Sequence, residues 1–146
     1  MPATLDPRGV RFTAAVTTVI LAVGLVTGSW RVLGAQTVLF ALCAFVGMGL
    51  NPWGAVYRST VAPRLPEVSE SEREAPAPAR FAQGVGFAFA LVATVGYALE
   101  WTAVGVVANA LALVAALLNA AFGYCMGCQL YLVLRRFSPA NRAPTG

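Results

Sequence analysis

The sequence lacks histidine and lysine, and it has few charged residues of any kind. Ten basic residues, all of them arginine, and six acidic residues are spread over 146 positions. Without histidine the chain can form no Ser-His-Asp triad, no Cys-His pair and no histidine metal site, which excludes the usual hydrolase chemistry. The charged fraction of 11% is less than half of the roughly 25% found in soluble domains. These absences indicate an integral membrane protein with a single domain over residues 1–146.

Long apolar runs take the place of the missing charge. Hydrophobic residues make up 58% of the chain, and one bilayer crossing needs about 20 consecutive apolar residues. The runs predict an all-α four-helix bundle with spans at residues 12–30, 33–50, 81–99 and 104–134. The last run exceeds one crossing, so we expect it to tilt, to bend near Gly123 or to project past the membrane. Asp6 followed by Pro7 predicts the N-cap and first residue of the first helix.

The central connection, residues 51–80, predicts a cytoplasmic loop with a short helix at its start. Asn51 and Pro52 mark a helix start, and residues 52–61 show near-helical spacing of apolar and aromatic side chains. That spacing favours an amphipathic helix lying at the membrane interface, and an ordinary loop with scattered aromatics is the alternative. The remainder of the connection is rich in glutamate and proline, which indicates a mobile, solvated segment.

The arginines predict the orientation of the chain. With four crossings, nine of the ten arginines share one side of the membrane with both termini and the central loop, and Arg31 alone falls on the other side. The positive-inside rule then places both termini and the loop in the cytoplasm. The arginines flank apolar runs and form no single stripe, so we expect no nucleic-acid partner. The bias toward Ala, Val and Arg favours a GC-rich bacterial genome and hence a bacterial cytoplasmic membrane.

Three cysteines are the main reactive side chains that the sequence contains. On the predicted topology Cys43, Cys125 and Cys128 lie about 10–15 Å from the cytoplasmic face of the membrane. Cys125 and Cys128 form a C-x-x-C motif, which in thioredoxin-like proteins opens a helix whose dipole lowers the thiol pKa. Here the motif is expected late in the last span, where burial would blunt the nucleophile unless Gly123 or Gly127 breaks the helix. A local disulfide would need distortion of a regular helix, and pairing of either thiol with Cys43 is the alternative.

Short motifs are distributed over nearly the whole chain. They are Asp6-Pro7-Arg8, Asn51-Pro52-Trp53, Arg80-Phe81-Ala82-Gln83-Gly84, Leu118-Asn119-Ala120, and Gly123-Tyr124-Cys125-x-Gly127-Cys128-x-Leu130-Tyr131. Together they resemble the bacterial membrane family catalogued as domain of unknown function 4395, and the last motif is the most specific. The resemblance implies thiol or sulfur traffic, with thioredoxin-like or sulfurtransferase proteins as partners. It also implies that Cys125, Cys128, Asn119 and Tyr131 are site positions.

The leading functional hypothesis is a membrane thiol protein without a cofactor. Cys125 and Cys128 would cycle between dithiol and disulfide or carry a persulfide, with Cys43 as a candidate third thiol, and exchange with the implied partner on the cytoplasmic side. One alternative is a Cu(I) site formed by Cys43, Cys125, Cys128 and Met126, or Met48 in its place, because thiolates and thioethers suit that ion. Another alternative is a structural subunit whose cysteines only pack. The oligomeric state is left open.

Overall fold

The computed structural model describes residues 5–47, 51–67, 69, 73 and 76–137, and over this part of the chain it is all-helical. The helices in chain order are α1 Pro7–Thr27, α2 Trp30–Ala41, α3 Pro52–Val56, α4 Pro76–Ala98, α5 Thr102–Phe122 and α6 Met126–Phe137. Three of them, α1, α4 and α5, are long and apolar enough to cross a membrane. Many of their large apolar side chains are exposed, as expected for helices surrounded by lipid. The fold is that of a membrane protein.

Side-chain caps start the helices where the sequence predicts them. The Asp6 carboxylate accepts a hydrogen bond from the Arg8 backbone N–H at 2.9 Å, and Pro7 is the first residue of α1. The Asn51 side chain accepts from the Trp53 N–H at 2.9 Å, and α3 begins at Pro52. An acceptor at the N-cap satisfies a backbone donor that has no partner inside the helix. Both predicted starts are confirmed.

The second and third predicted spans differ from the observed helices in length. The helix α2 ends at Ala41 and continues as a π-helical turn over Leu42–Val46, so Trp30–Val46 is a shorter apolar helix than the three candidate spans. Residues 48–50, including Met48, lie outside the described residues. The helix α4 begins at Pro76, five residues before the predicted span, because prolines are tolerated in the first turn of a helix. The short helix after residue 51 is longer than α3 alone, since π-helical Tyr57–Val61 continues it.

Of the three expectations for residues 104–134, the structure shows the bend near Gly123. The helix α5 ends at Phe122, and Gly123 adopts a left-handed conformation with φ 70°. Its N–H donates to the Asn119 carbonyl at 2.9 Å, which satisfies one of the last carbonyls of α5. After a short turn α6 packs back against α4. Glycine adopts this backbone conformation at no steric cost. The chain can therefore change direction at Gly123 although the sequence on both sides is apolar.

The helices pack around a small core, and the bundle has two ends that hold different parts of the chain. The helix α1 packs against α2 and α5, and α4 packs against α2, α5 and α6. The core consists of Leu21, Leu33, Phe40, Ala90, Ala93, Ala108 and Ala112. One end of the bundle holds the α1–α2 and α4–α5 turns. The other end, called here the α6 end, holds the start of α1, the end of α2, the helix α3, the start of α4, the end of α5 and the helix α6.

Candidate functional site

A disulfide bond between Cys125 and Cys128 lies at the start of α6. The two Cα atoms are 5.1 Å apart, within the usual range for a disulfide. The Cys128 backbone N–H donates to the Cys125 Sγ at 3.1 Å, and the Gln129 N–H donates to the Cys125 carbonyl at 3.0 Å. Cys125 therefore occupies the capping position of α6. The expectation that the motif sits late in a helix is wrong, because the break at Gly123 starts a new helix at the motif.

Close packing against α4 fixes the position of this motif. A Cβ atom added at Gly127 would lie 2.6 Å from both the Cα and the Cβ of Ala82. Only a residue without a side chain permits this approach of α6 to the backbone of α4. The rings of Phe81 and Tyr131 also meet, with their centroids 5.6 Å apart. These contacts are part of the packing that holds the disulfide beside the first turns of α4.

The Arg11 side chain holds the turn that precedes the motif. Its Nη2 donates to the carbonyl of Ala120 at 3.2 Å and to that of Ala121 at 3.0 Å. These carbonyls belong to the last turn of α5, where a cation also interacts favourably with the helix dipole. Sequence reasoning assigned Arg11 to topology alone. No local pattern indicates its contact, because the partners are 109 and 110 positions away in the chain.

A cavity of 780 Å³ opens beside the disulfide at the α6 end. Cys125 and Cys128 form part of its wall, and α1, α4 and α5 form most of the remainder. Two amide side chains, Gln83 on α4 and Asn119 on α5, also line it. Both amides are half-buried, and the structure gives neither side chain a hydrogen bond within the described part of the chain. The cavity therefore combines apolar walls, a disulfide and amides that are free to bind a ligand.

Cys43 lies at the same end of the bundle but outside this site. Its π-helical turn packs against α4, where the Arg80 Nη2 donates to the neighbouring Ala44 carbonyl at 2.9 Å. Cys43 is buried and is a free thiol, whereas Cys125 and Cys128 are each half-buried. Among the cavity-lining residues the two paired cysteines are present and Cys43 is absent. The structure thus brings two of the three predicted thiols together.

The metal alternative gains no geometric support from the described residues. Over residues 5–47, 51–67, 69, 73 and 76–137, no group of three or more His, Cys, Asp or Glu side chains is placed to hold an ion. Met126 lines the cavity beside the disulfide, but both sulfur atoms of the motif are bonded to each other. Copper binding through these residues stays a prediction.

A polar cluster forms the wall of the cavity nearest the start of α1. The Tyr57 hydroxyl donates to Asp6 Oδ2 at 3.1 Å, and Arg8 pairs with the same carboxylate at 3.1 Å. Burial alone would raise the pKa of Asp6, but the hydrogen bonds from Arg8 and Tyr57 outweigh it, and the pKa lies below its usual value. Burial and the nearby Asp6 carboxylate raise the pKa of Tyr57. The cluster is therefore an anionic carboxylate with a neutral phenol at neutral pH.

Comparison with known proteins finds one family. Residues 5–136 match the family model described as Domain of unknown function (DUF4395). No curated protein and no solved structure matches the chain. The matched range includes α1 to α5 and all but the last residue of α6, so both the cavity and the disulfide fall within it.

Proposed function

The chain belongs to the DUF4395 family, and we propose that it is a thiol–disulfide exchange protein of a bacterial cytoplasmic membrane. Cys125 and Cys128 are its redox pair, and its partner is a thioredoxin-like or sulfurtransferase protein in the cytoplasm. The observation that carries the proposal is the position of the motif. The disulfide caps the start of α6, as a C-x-x-C pair must do to use backbone N–H groups and the helix dipole.

The surroundings of the two sulfur atoms support a division of roles. The Cys128 N–H points at the Cys125 Sγ, and the same donor would stabilise a Cys125 thiolate after reduction. Cys125 is therefore the attacking sulfur and Cys128 the resolving one. Cys43 is buried, so a protein partner has no direct access to it, and it takes no part in the exchange.

The exchange proceeds by two displacements. The Cys125 thiolate attacks one sulfur of a partner disulfide, the partner S–S bond breaks, and the other partner sulfur leaves as a thiolate. The Cys128 thiolate then attacks the Cys125 sulfur, which closes the Cys125–Cys128 bond and releases the partner. The protons lost by the two cysteines end on the two partner sulfurs. A partner persulfide would instead donate its outer sulfur to Cys125 in the first displacement.

The proposed orientation rests on the arginines and on four crossings, with Trp30–Val46 as the second. Eight arginines within the described residues, namely Arg8, Arg11, Arg58, Arg64, Arg73, Arg80, Arg135 and Arg136, belong to segments at the α6 end, and Arg31 belongs to the opposite end. An excess of this size favours the cytoplasm for the α6 end. A cytoplasmic partner would then meet the disulfide directly.

The test is a redox titration combined with trapping. In a Cys43→Ala background, membranes are equilibrated with glutathione buffers, and the free thiols are labelled. We expect Cys125 and Cys128 to change together in one two-electron transition. Cys128→Ser should accumulate a reductant-sensitive adduct with its partner, whereas the matched Cys125→Ser variant should not.

Two outcomes would contradict the proposal. Labelling of the pair that does not respond to the glutathione ratio would show that the thiols do not exchange. Equal adducts from Cys125→Ser and Cys128→Ser would remove the assignment of Cys125 as the attacking sulfur.

A further inference from the structure

The cavity beside the disulfide has the size and depth of a ligand site within the membrane. Its volume of 780 Å³ lies in the range of about 300–1,000 Å³ that small-molecule sites occupy. Its lining on α5 runs from Leu111 to Asn119, which is about 12 Å along a helix at 1.5 Å per residue. The cavity therefore extends from the disulfide well into the membrane-spanning part of the bundle.

Away from the polar wall with Asp6, Tyr57, Arg58 and Arg73, the lining suits an apolar ligand with hydrogen-bond acceptors. Phe40, Phe89 and Val114 represent the apolar part of the wall, and Phe89 and Val114 are exposed and not covered by the core. Gln83 on α4 and Asn119 on α5 supply amide donors, with no hydrogen-bond partner among the described residues. An amide N–H is satisfied by a carbonyl oxygen. An apolar molecule that carries carbonyl oxygens matches the chemistry of these walls.

Formation of the disulfide from the two thiols requires an acceptor of two electrons. Closing the Cys125–Cys128 bond releases two electrons and two protons, and a quinone takes up this number to become a quinol. We propose that the cavity binds a lipid-soluble quinone, which oxidises the Cys125–Cys128 dithiol. The inference rests on the proposed function, with the exchange running in the reverse direction: a partner dithiol reduces the Cys125–Cys128 bond and becomes the partner disulfide, and the quinone then closes the bond again.

The reaction balances without a further reactant. Two S–H bonds break and one S–S bond forms between Cys125 and Cys128. The electron pair passes to the quinone ring, and the two protons form two O–H bonds on its oxygens. Gln83 and Asn119 donate to the ring carbonyls and position the ring. They also stabilise the negative charge that grows on those oxygens as the electrons arrive. The products are the protein disulfide and the quinol.

The experiment uses the full chain in lipid nanodiscs, reduced and freed of reductant. Decylubiquinone is the quinone probe, because its fully substituted ring has no open position for thiol addition, and oxidised glutathione is the disulfide probe. Disulfide formation is followed by thiol labelling, and quinol formation by absorbance. We expect one quinol for each disulfide formed.

The variants separate the cavity from the thiol pair. Ala115→Phe fills the cavity, and the matched control Val107→Phe adds the same ring to the outer face of α5, where Val107 is 58% exposed. The double variant Gln83→Leu/Asn119→Leu removes both donors at nearly constant volume. We expect Ala115→Phe and the double variant to react with decylubiquinone about tenfold more slowly. Reaction with glutathione should change less than about twofold, and Val107→Phe should behave as the unmodified chain with both probes.

Three other outcomes would each overturn all or part of the proposal. Oxidation of the pair by oxidised glutathione but not by decylubiquinone overturns the quinone site and leaves the proposed function intact. No oxidation by either probe overturns both. Oxidation by decylubiquinone at an unchanged rate in the double variant and in Ala115→Phe overturns the cavity as the place of reaction.

Discussion

The contact between Gly127 and Ala82 predicts a clear effect of a single methyl group. In Gly127→Ala the new Cβ would lie 2.6 Å from the Cα and the Cβ of Ala82, whereas carbon atoms pack at about 3.5–4.0 Å. The helix α6 must therefore move away from α4 by about 1 Å. Ala82 cannot yield, because the contacted atoms belong to the backbone and to a side chain of one carbon. The disulfide at the start of α6 moves with it.

The size of the effect follows from two opposing terms. Overpacking of this kind costs about 1–3 kcal/mol, while alanine gains up to about 1 kcal/mol over glycine within a helix. The net loss of about 1–2 kcal/mol falls on the attachment of α6 to α4. A free-energy change of this size alters an opening equilibrium by about 5- to 30-fold. We expect dithiothreitol to reduce the Cys125–Cys128 bond faster by that factor.

The assay compares Gly127→Ala with Gly84→Ala in nanodiscs. A Cβ at Gly84 would lie 3.8 Å from the Cβ of Ala44, an ordinary contact, so this control on α4 should be neutral or slightly stabilising. The rate of disulfide reduction and the unfolding temperature are measured for both variants. If Gly127→Ala reduces at the rate of the Gly84→Ala control, the close approach of α6 to α4 does not hold the site.

Three further predictions concern residues around the site. Arg11→Gln should weaken the capping of α5 by about 0.5–1 kcal/mol, since the side chain is exposed, and should speed hydrogen exchange at Gly123; exchange equal to the unmodified chain would contradict this. Asp6→Asn retains the cap but loses the charge: the carboxylate contributes stability that is complete above about pH 4 and is lost as pH falls through its lowered pKa. Unfolding measured from about pH 7 to 3 should therefore show an acid-dependent loss in the unmodified chain that is smaller in the variant, and equal acid sensitivity would refute it. Cys43→Ala should cost about 1 kcal/mol of stability and leave the glutathione titration of the Cys125–Cys128 pair unchanged; a shifted titration would show that Cys43 takes part.

The sequence predicts those parts of the fold that depend on local chemistry. Apolar runs identify α1, α4 and α5, and the Asp6-Pro7 and Asn51-Pro52 pairs locate two helix starts. The break after Phe122 is harder to predict, because glycine is common within membrane helices and the surrounding residues carry no charge. Its consequence, a new helix that begins at Met126 and is capped by Cys125, follows only when the break is known.

The site depends on contacts between residues that are distant in the chain. Arg11 meets carbonyl groups more than 100 positions away, and Gly127 meets Ala82. No spacing rule within one helix reports such pairs. The cavity likewise forms only where separate helices, among them α1, α4, α5 and α6, come together. The sequence therefore indicated Asn119 as a site position through a resemblance, and it gave Gln83 only as part of a motif. The sequence does predict the Cys125–Cys128 pair, because the spacing of two cysteines is a local pattern.

The bond from Arg11 to the end of α5 joins the first membrane helix to the last one. During synthesis α1 leaves the ribosome and enters the bilayer long before Ala120 and Ala121 are translated. The Arg11 guanidinium group can form these hydrogen bonds only after α5 has been made. The cavity likewise is enclosed only after α5 has joined the other helices. A nascent chain stopped between residues 43 and 124 would hold Cys43 and neither Cys125 nor Cys128. The proposed thiol chemistry would thus become available only at the final stage of membrane insertion, after the scaffold is complete.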